Sequence, residues 1–259
     1  MNWCGLAFIV TCLSFSVIGA FTPSRSFSHT ISQRTVRNNQ GTNQVTFATG
    51  SEEWTSILDD FTGSGNSPVK KMVIEEGDGP IPSKGSTVEI DYVGVLGSSQ
   101  ESWEVDDVVE CWLKNLQGLY DVLAEPMREV SVDGSTLFDE EKFTEAFVAE
   151  KLGVANKIQC KKTMMATKRL RSSSEEYLEG TQFDSSFERG KTYEFVLGQG
   201  KAIQAMDLLV STMKVGERAK VVCRSDFGYG SEGYRKKTGE VVVPPFATLC
   251  FEVTLVSAS

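Results

Sequence analysis

The stretch GTQFDSSFERGKTYEFVLGQGKAI, residues 180–203, decides the fold together with two that follow it, MKVGERAKVVCRSDFGYG (213–230) and VVVPPFATLCFEVTLV (241–256). Apolar side chains alternate in them at period two, as in Tyr193, Phe195 and Leu197 and again in Leu249, Phe251 and Val253. That spacing puts one set of side chains on one face of a half-buried strand. Between the strands Ile203, Met206, Leu209 or Val210, and Met213 recur at helical spacing. The pattern predicts an α+β fold, an antiparallel β-sheet wrapped around one short helix over 202–213. An excess of aromatic residues stands beside a few polar ones, Asp184, Arg189 and Tyr229. That is the makeup of a small apolar pocket with a few placed hydrogen-bonding groups.

Upstream, residues 71–79 predict a strand and turn, and STVEIDYVGVL (86–96) a second strand after Gly85. Residues 51–61 put Trp54, Ile57, Leu58 and Phe61 on one helical face, with Thr49 and Glu52 at capping-box spacing. Residues 51–68 are therefore expected to be a short helix followed by the flexible linker GSGNSP.

The phrases DYVGVL, GTQFDSSFERGKTYEFVLG, KAIQAMD, MKVGERAKV, FGYG and VVPPFATLCFEVTL together resemble the FKBP family of peptidyl-prolyl cis/trans isomerases. The resemblance covers 69–96 and 178–257, in the family's order and spacing, and implies an isomerase domain over 69–98 and 175–259. It implies that Tyr92, Phe183, Tyr193, Ala202, Met206, Val242, Val243 and Phe251 line a substrate pocket with Ile203. Asp184 and Tyr229 match the family's hydrogen-bonding pair, Arg189 the arginine that orients the aspartate, and Ile203 the backbone N–H offered to a substrate carbonyl. The implied activity is acceleration of X–Pro isomerisation in proline-containing polypeptides, with no cofactor. A non-catalytic binding or chaperone module built on the same pocket is the alternative. Three departures stand out: Met206 where the family often has Trp, Ala205 where Gly is usual, and a longer, more basic flap, SEGYRKKTGEV (231–241). They imply reduced affinity for macrolides more than loss of activity. Tyr234 of the flap either covers the pocket or points away.

The family joins the Tyr92 strand to the FDSS strand by a short turn, but here Tyr92 and Phe183 stand 91 positions apart. A folded insertion of residues 99–174 at the hairpin tip is expected, since tips tolerate insertions. Val105, Val108, Val109, Trp112, Leu116, Leu119, Leu123 and Met127 recur at helical spacing. Phe138, Asp139 and Phe143 have the form of a hydrophobic staple around an N-cap, opening a second helix that Gly153 stops. A third helix over 157–171 is basic, and the acidic Glu104, Asp106, Asp107 and Glu110 either pair with it or share the solvent. Three helices are predicted, contributing no pocket wall. A two-residue Asn-Gly turn in their place should then spare turnover of a short peptide.

The net charge is −9 over 259 residues. The only charges before Glu52 are Arg25, Arg34 and Arg37, so the remainder carries 23 basic and 35 acidic residues, a net of −12. So acidic a body is a poor partner for nucleic acid. The only histidine, His29, precedes it, which removes histidine triads and histidine-ligated zinc, and no metal site is expected. No phosphate loop occurs, GQGKAI lacks dinucleotide-fingerprint spacing, and SVDGSTLFDEE lacks the alternate acidic ligands of a calcium loop. Residues 5–19 are apolar but short for a membrane span and end at Gly19-Ala20, so 1–20 is expected to be a signal peptide. Residues 21–50 hold Ser, Thr and Arg and no acid, as transit peptides do. The series resembles the bipartite presequences of algae with complex plastids and implies the stroma, with no stable membrane anchor after processing. The secretory pathway and the thylakoid lumen are the alternatives. Cys4 and Cys12 leave with the signal. Phase puts Cys223 toward the core and Cys250 away from it, so these two do not pair, whereas pairing of Cys111 with Cys160 is left open.

Overall fold

A computed structural model of the chain describes residues 34–37, 43–46, 53–58, 67–174 and 177–259. The expected signal, transit and linker segments lie largely outside them. Strands β1 (Arg34–Arg37) and β2 (Asn43–Thr46) pair antiparallel with each other.

The main sheet has seven strands. Strand β3 (Thr55–Ser56) pairs antiparallel with β4 (Val69–Glu75), Thr55 opposite Lys71. This corrects the helix expected over 51–61. Four apolar residues at helical spacing are a weak signal over so short a stretch, and here the ladder to β4 supplies the backbone hydrogen bonds instead. The ten-residue β5 (Thr87–Leu96) follows.

Between β5 and the next strand the chain is helical, but not as three helices. A π turn (Asp107–Trp112) and a 3-10 turn (Leu113–Asn115) end before Gly118, whose φ of +74° breaks the run. Then come α1 (Tyr120–Glu129), α2 (Gly134–Phe138), α3 (Glu145–Glu150) and α4 (Lys157–Ser174). Asp139 does not open a helix. Its carboxylate accepts from the Glu141 and Lys142 amides and closes a turn, while α3 starts later under the Thr144 hydroxyl, which accepts from Phe147 N. The acidic residues do not pair with α4. Arg128 of α1 takes Asp106 and Glu110, and Arg224 approaches Asp107 at 3.9 Å. Cys111 and Cys160 are buried free thiols. This segment has its own core, with Val108, Trp112, Leu123, Met127, Leu137 and Phe143 almost fully buried.

The chain returns through β6 (Gln182–Ser185), β7 (Tyr193–Val196), α5 (Gln204–Val210), β8 (Arg218–Cys223), the short hairpin β9 (Tyr234–Arg235) and β10 (Val241–Val243), and β11 (Leu249–Ala258). The sheet order is β3-β4-β8-β11-β5-β6, with β7 also pairing with β5. Leu96 N donates to Thr181 O at 2.9 Å, so the helical segment leaves and re-enters at the tip of the β5–β6 hairpin. On the concave face Ile90, Tyr92 and Leu96 meet Leu249, Phe251 and Val253 and the α5 residues Met206, Leu209 and Val210. Cys223 belongs to this core, and Cys250 packs with Val93 and Val95 on the opposite face, as the phase predicts.

Candidate functional site

The antiparallel register sets Val253 opposite Tyr92 and Phe251 opposite Gly94, which puts the Tyr92 and Phe251 rings on one face, 6.3 Å apart. Strand β6 lies on the other side of β5, and its ladder slips between Gly94 and Val95, so Phe183 is an extra residue opposite no partner. Regular pleating sends Phe183 and Asp184 to opposite faces. The bulge lets both serve the same region, the usual consequence of a bulge. Phe183 meets Phe251 edge to face with centroids 5.5 Å apart. Gly94 is what permits this, because a Cβ there would stand 2.8 Å from Phe251 Cε1 and 2.9 Å from Phe183 Cζ.

Asp184 is held from three directions. The Tyr92 hydroxyl donates to its Oδ2 at 2.6 Å, Ser185 N donates to Oδ1 at 2.9 Å, and Arg189 Nη1 lies 3.3 Å from Oδ1. Arg189 also donates to the Tyr92 hydroxyl, and its guanidinium carbon sits 5.3 Å from the Tyr92 ring centre. Burial, then the hydrogen bond to Asp184, pushes the Tyr92 phenol well above its ordinary range, so it stays a donor. The Arg189–Asp184 pair is half exposed and contributes little to stability, so its consequence is orientation.

These groups open on a cavity of about 300 Å³. Tyr92, Asp184, Arg189, Tyr193 and Phe251 line it together with Ala202, Ile203, Met206 and Tyr229. Three residues expected in the wall are not there. Phe183 packs edge to face against the Phe251 and Tyr229 rings instead of lining the cavity itself. Val243 is 1% exposed in the core and Val242 packs partly buried against that core. Lys201 lines the cavity without having been anticipated. Its carbonyl accepts from the Tyr193 hydroxyl at 2.9 Å, a main-chain role that no side-chain pattern announces.

Among the donors at the cavity, the Tyr229 hydroxyl and the Ile203 N–H have no protein partner among the described residues. Ile203 is the extended N-cap of α5 (φ −62°, ψ 152°), so its amide is not used by the helix. Burial, followed by the nearby Asp184 charge, raises the Tyr229 phenol above its ordinary value and keeps it protonated. Tyr234 stacks on the Tyr229 ring with centroids 5.6 Å apart and is itself 47% exposed, so it backs Tyr229 and does not line the cavity.

A family model described as FKBP-type peptidyl-prolyl cis-trans isomerase matches residues 160–256. FK506-binding protein 1 of Dictyostelium discoideum is 47% identical over 78 residues, 30% of this chain and 68% of that protein. The peptidyl-prolyl cis-trans isomerase Fkbp12 of Drosophila melanogaster is 43% identical over 77 residues, again 30% of this chain and 67% of that protein. The peptidyl-prolyl cis-trans isomerase FKBP4 of Rattus norvegicus is 47% identical over 78 residues, but the chain spans only 16% of its length. Among solved structures, the N-terminal domain of FKBP42 from Arabidopsis thaliana covers 83% of this chain and 98% of its own, with a TM-score of 0.43 and 19% identity. The family match begins inside α4 and leaves out β4 and β5. Yet β5 lies between β11 and the β6 and β7 edge and supplies Tyr92.

Proposed function

We propose that this chain, which belongs to the FKBP-type peptidyl-prolyl cis-trans isomerase family, accelerates cis/trans exchange at X–Pro bonds of polypeptides in the cavity between α5 and the sheet. Rotation about a peptide bond meets a barrier of roughly 18–20 kcal/mol, while the two X–Pro isomers differ by about 0.5–1 kcal/mol. No nucleophile is needed. The catalyst has to favour the twisted amide, whose C–N resonance is lost, over the planar and more dipolar one.

Water favours the planar form, and an apolar cleft floored by Met206 and walled by Phe251 and Tyr193 excludes that water. The Ile203 N–H is placed to hold a substrate carbonyl, and Tyr229 donates a second hydrogen bond. Asp184, oriented by Tyr92, Arg189 and Ser185 N, faces the rotating amide with its negative charge. Such interactions accelerate the reaction only where they are stronger in the twisted state than in the planar one. The observation that carries this reading is the pair of unpartnered donors that share an aromatic cavity with an oriented carboxylate. The name of the Dictyostelium relative, FK506-binding protein 1, supports macrolide ligands for the same cavity. Reduced affinity is expected, because flexible Met206 offers less rigid surface than an aromatic floor.

The isomerase domain is assigned to 69–98 and 175–259, with residues 99–174 as an insertion into it. Residues 1–20 and 21–50 are assigned as signal and transit segments directing the chain to a plastid stroma. A fluorescent fusion of residues 1–51 reaching the plastid of a suitable alga supports that address, and its secretion into the medium overturns it. A protease-free isomerisation assay on residues 52–259 tests the activity. Exchange of a short X–Pro peptide no faster than in buffer, at high protein concentration, removes the catalytic reading and leaves a binding module.

A further inference from the structure

We infer that the helical segment between β5 and β6 positions the Tyr229 hydroxyl, with Trp103 and Gln100 as positioning residues that act through the turn 244–247; the inference rests on the isomerase reading above. The segment contributes no cavity wall, but it packs on the loop that carries Tyr229. It grips that loop at two places.

The first grip is on the far side of the loop. Trp103, 5% exposed, packs edge to face on Phe246 with ring centroids 6.4 Å apart and planes at 81°. Gln100, 1% exposed, donates from Nε2 to Pro245 O at 3.2 Å, and its own Oε1 accepts from the Ser174 hydroxyl at 3.1 Å, so α4 fixes the glutamine that fixes the turn. Phe246 in turn donates its N–H to Gly230 O at 3.0 Å, and Gly230 directly follows Tyr229. Phe246 has φ +58°, which is a genuine outlier for a bulky residue. Strain of this kind persists only where surrounding contacts hold it, and the contacts here are Trp103 and Gln100.

The second grip is on the near side. Cys111 donates through Sγ to Asp226 Oδ1 at 3.5 Å, and Asp107 lies 3.9 Å from Arg224, which also binds Asp226 at 2.9 Å. Asp226 belongs to the 3-10 turn Ser225–Phe227, and Ser225 O accepts from both Gly228 N and Gly230 N. Tyr229 therefore sits between two backbone anchors, each tied to the helical segment. Its hydroxyl has no protein partner of its own, so where it points is set by these backbone anchors together with the ring contacts to Phe183 and Tyr234. On this inference, excising 99–174 lowers turnover of a short peptide instead of sparing it.

The test is a double-mutant cycle in the full chain, with a short X–Pro peptide as substrate. Trp103→Ala is expected to lower kcat/KM about three- to tenfold, the scale of one misplaced hydrogen bond, and Trp103→Phe to restore most of it. In a Tyr229→Phe background, which has no hydroxyl to misplace, Trp103→Ala should cause no further loss. Couplings of this kind are what a cycle isolates. An equal loss in both backgrounds, or none in either, overturns the inference. If Trp103→Ala does not fold, Phe246→Leu breaks the same contact from the less buried side and is held to the same outcomes. The NMR signals of the Tyr229 ring and the exchange rate of the Phe246 amide give a readout without turnover. Should the native protein show no turnover, the isomerase reading fails, and movement of these signals in Trp103→Ala then decides the positioning separately. Unmoved signals overturn it.

Discussion

Tyr229→Phe and Tyr92→Phe remove chemically identical hydroxyls from one cavity, and the structure predicts opposite consequences. The Tyr229 hydroxyl has no protein partner among the described residues, so its loss breaks no internal hydrogen bond. The ring stays, with its stacking on Tyr234 and its edge contact with Phe183. Stability should change by less than about 0.5 kcal/mol. Turnover should fall by one substrate hydrogen bond, about 0.5–1.5 kcal/mol, or roughly two- to tenfold in kcat/KM. The Tyr92 hydroxyl, by contrast, donates to Asp184 at 2.6 Å and accepts from Arg189. Both bonds involve charged partners and count for about 1.5–3 kcal/mol each when fully buried. Asp184 is 32% and Arg189 49% exposed, so water recovers much of that and the expected loss is about 1–2 kcal/mol. Urea unfolding of both variants beside a protease-free isomerisation assay separates the two patterns. A Tyr229→Phe protein that is destabilised as much as Tyr92→Phe, with turnover intact, would refute the assignment of Tyr229 as the free donor.

Gly94→Ala drives a methyl into Phe251 and Phe183; overpacking of about 1–3 kcal/mol should outweigh the 0.4–1 kcal/mol gained from a stiffer unfolded chain, and a variant with native stability and native ligand affinity contradicts the contact. Glu217→Gln removes the negative charge that lies 2.6 Å from buried Lys71 Nζ, leaving the ammonium with a neutral amide oxygen and Thr212 but no counter-charge. A loss of about 3 kcal/mol is expected by urea titration, and a loss below 1 would mean that the lysine escapes to solvent. Burial raises the phenols of Tyr92, Tyr177, Tyr193 and Tyr229 above the ordinary value of 10.0. The unfolded chain ionises first, so stability is complete below about pH 10 and falls as pH rises through the folded values. Urea midpoints that stay level from pH 9 to 11 would contradict the burial of these rings.

What the sequence disclosed about this fold was whatever a period can carry. Alternation in 193–197 and 249–253 located β7 and β11 and gave their core faces correctly, and the spacing from Ile203 to Met213 located α5. The same reasoning misplaced 51–61, because a short periodic run cannot outvote a neighbouring strand that offers hydrogen bonds. It also merged the first helices of the segment between β5 and β6, where Gly118 takes a conformation that apolar spacing does not register. At the site, nine of the twelve expected residues line the cavity. Phe183 drops out because the Phe251 and Tyr229 rings that it packs against take the wall, a tertiary contact that alternation does not register.

The deeper limit is one of distance along the chain. Trp103 and Phe246 are separated by the whole helical segment and by most of the sheet, and each taken alone is an ordinary apolar residue. Their meeting follows from the β5–β6 hairpin tip lying next to the turn before β11, which is a property of the closed sheet: Gly97 N donates to Thr248 O at 2.8 Å, immediately beyond that turn. A segment that joins β5 to β6 at this tip therefore enters the fold beside the loop that carries Tyr229, whatever its own sequence. A loose segment there would leave the loop as it was. This one has a core of its own, and it turns Gln100 and Trp103 outward onto the turn and Cys111 toward Asp226. Packing of that kind makes the loop's geometry depend on a segment that never touches the substrate.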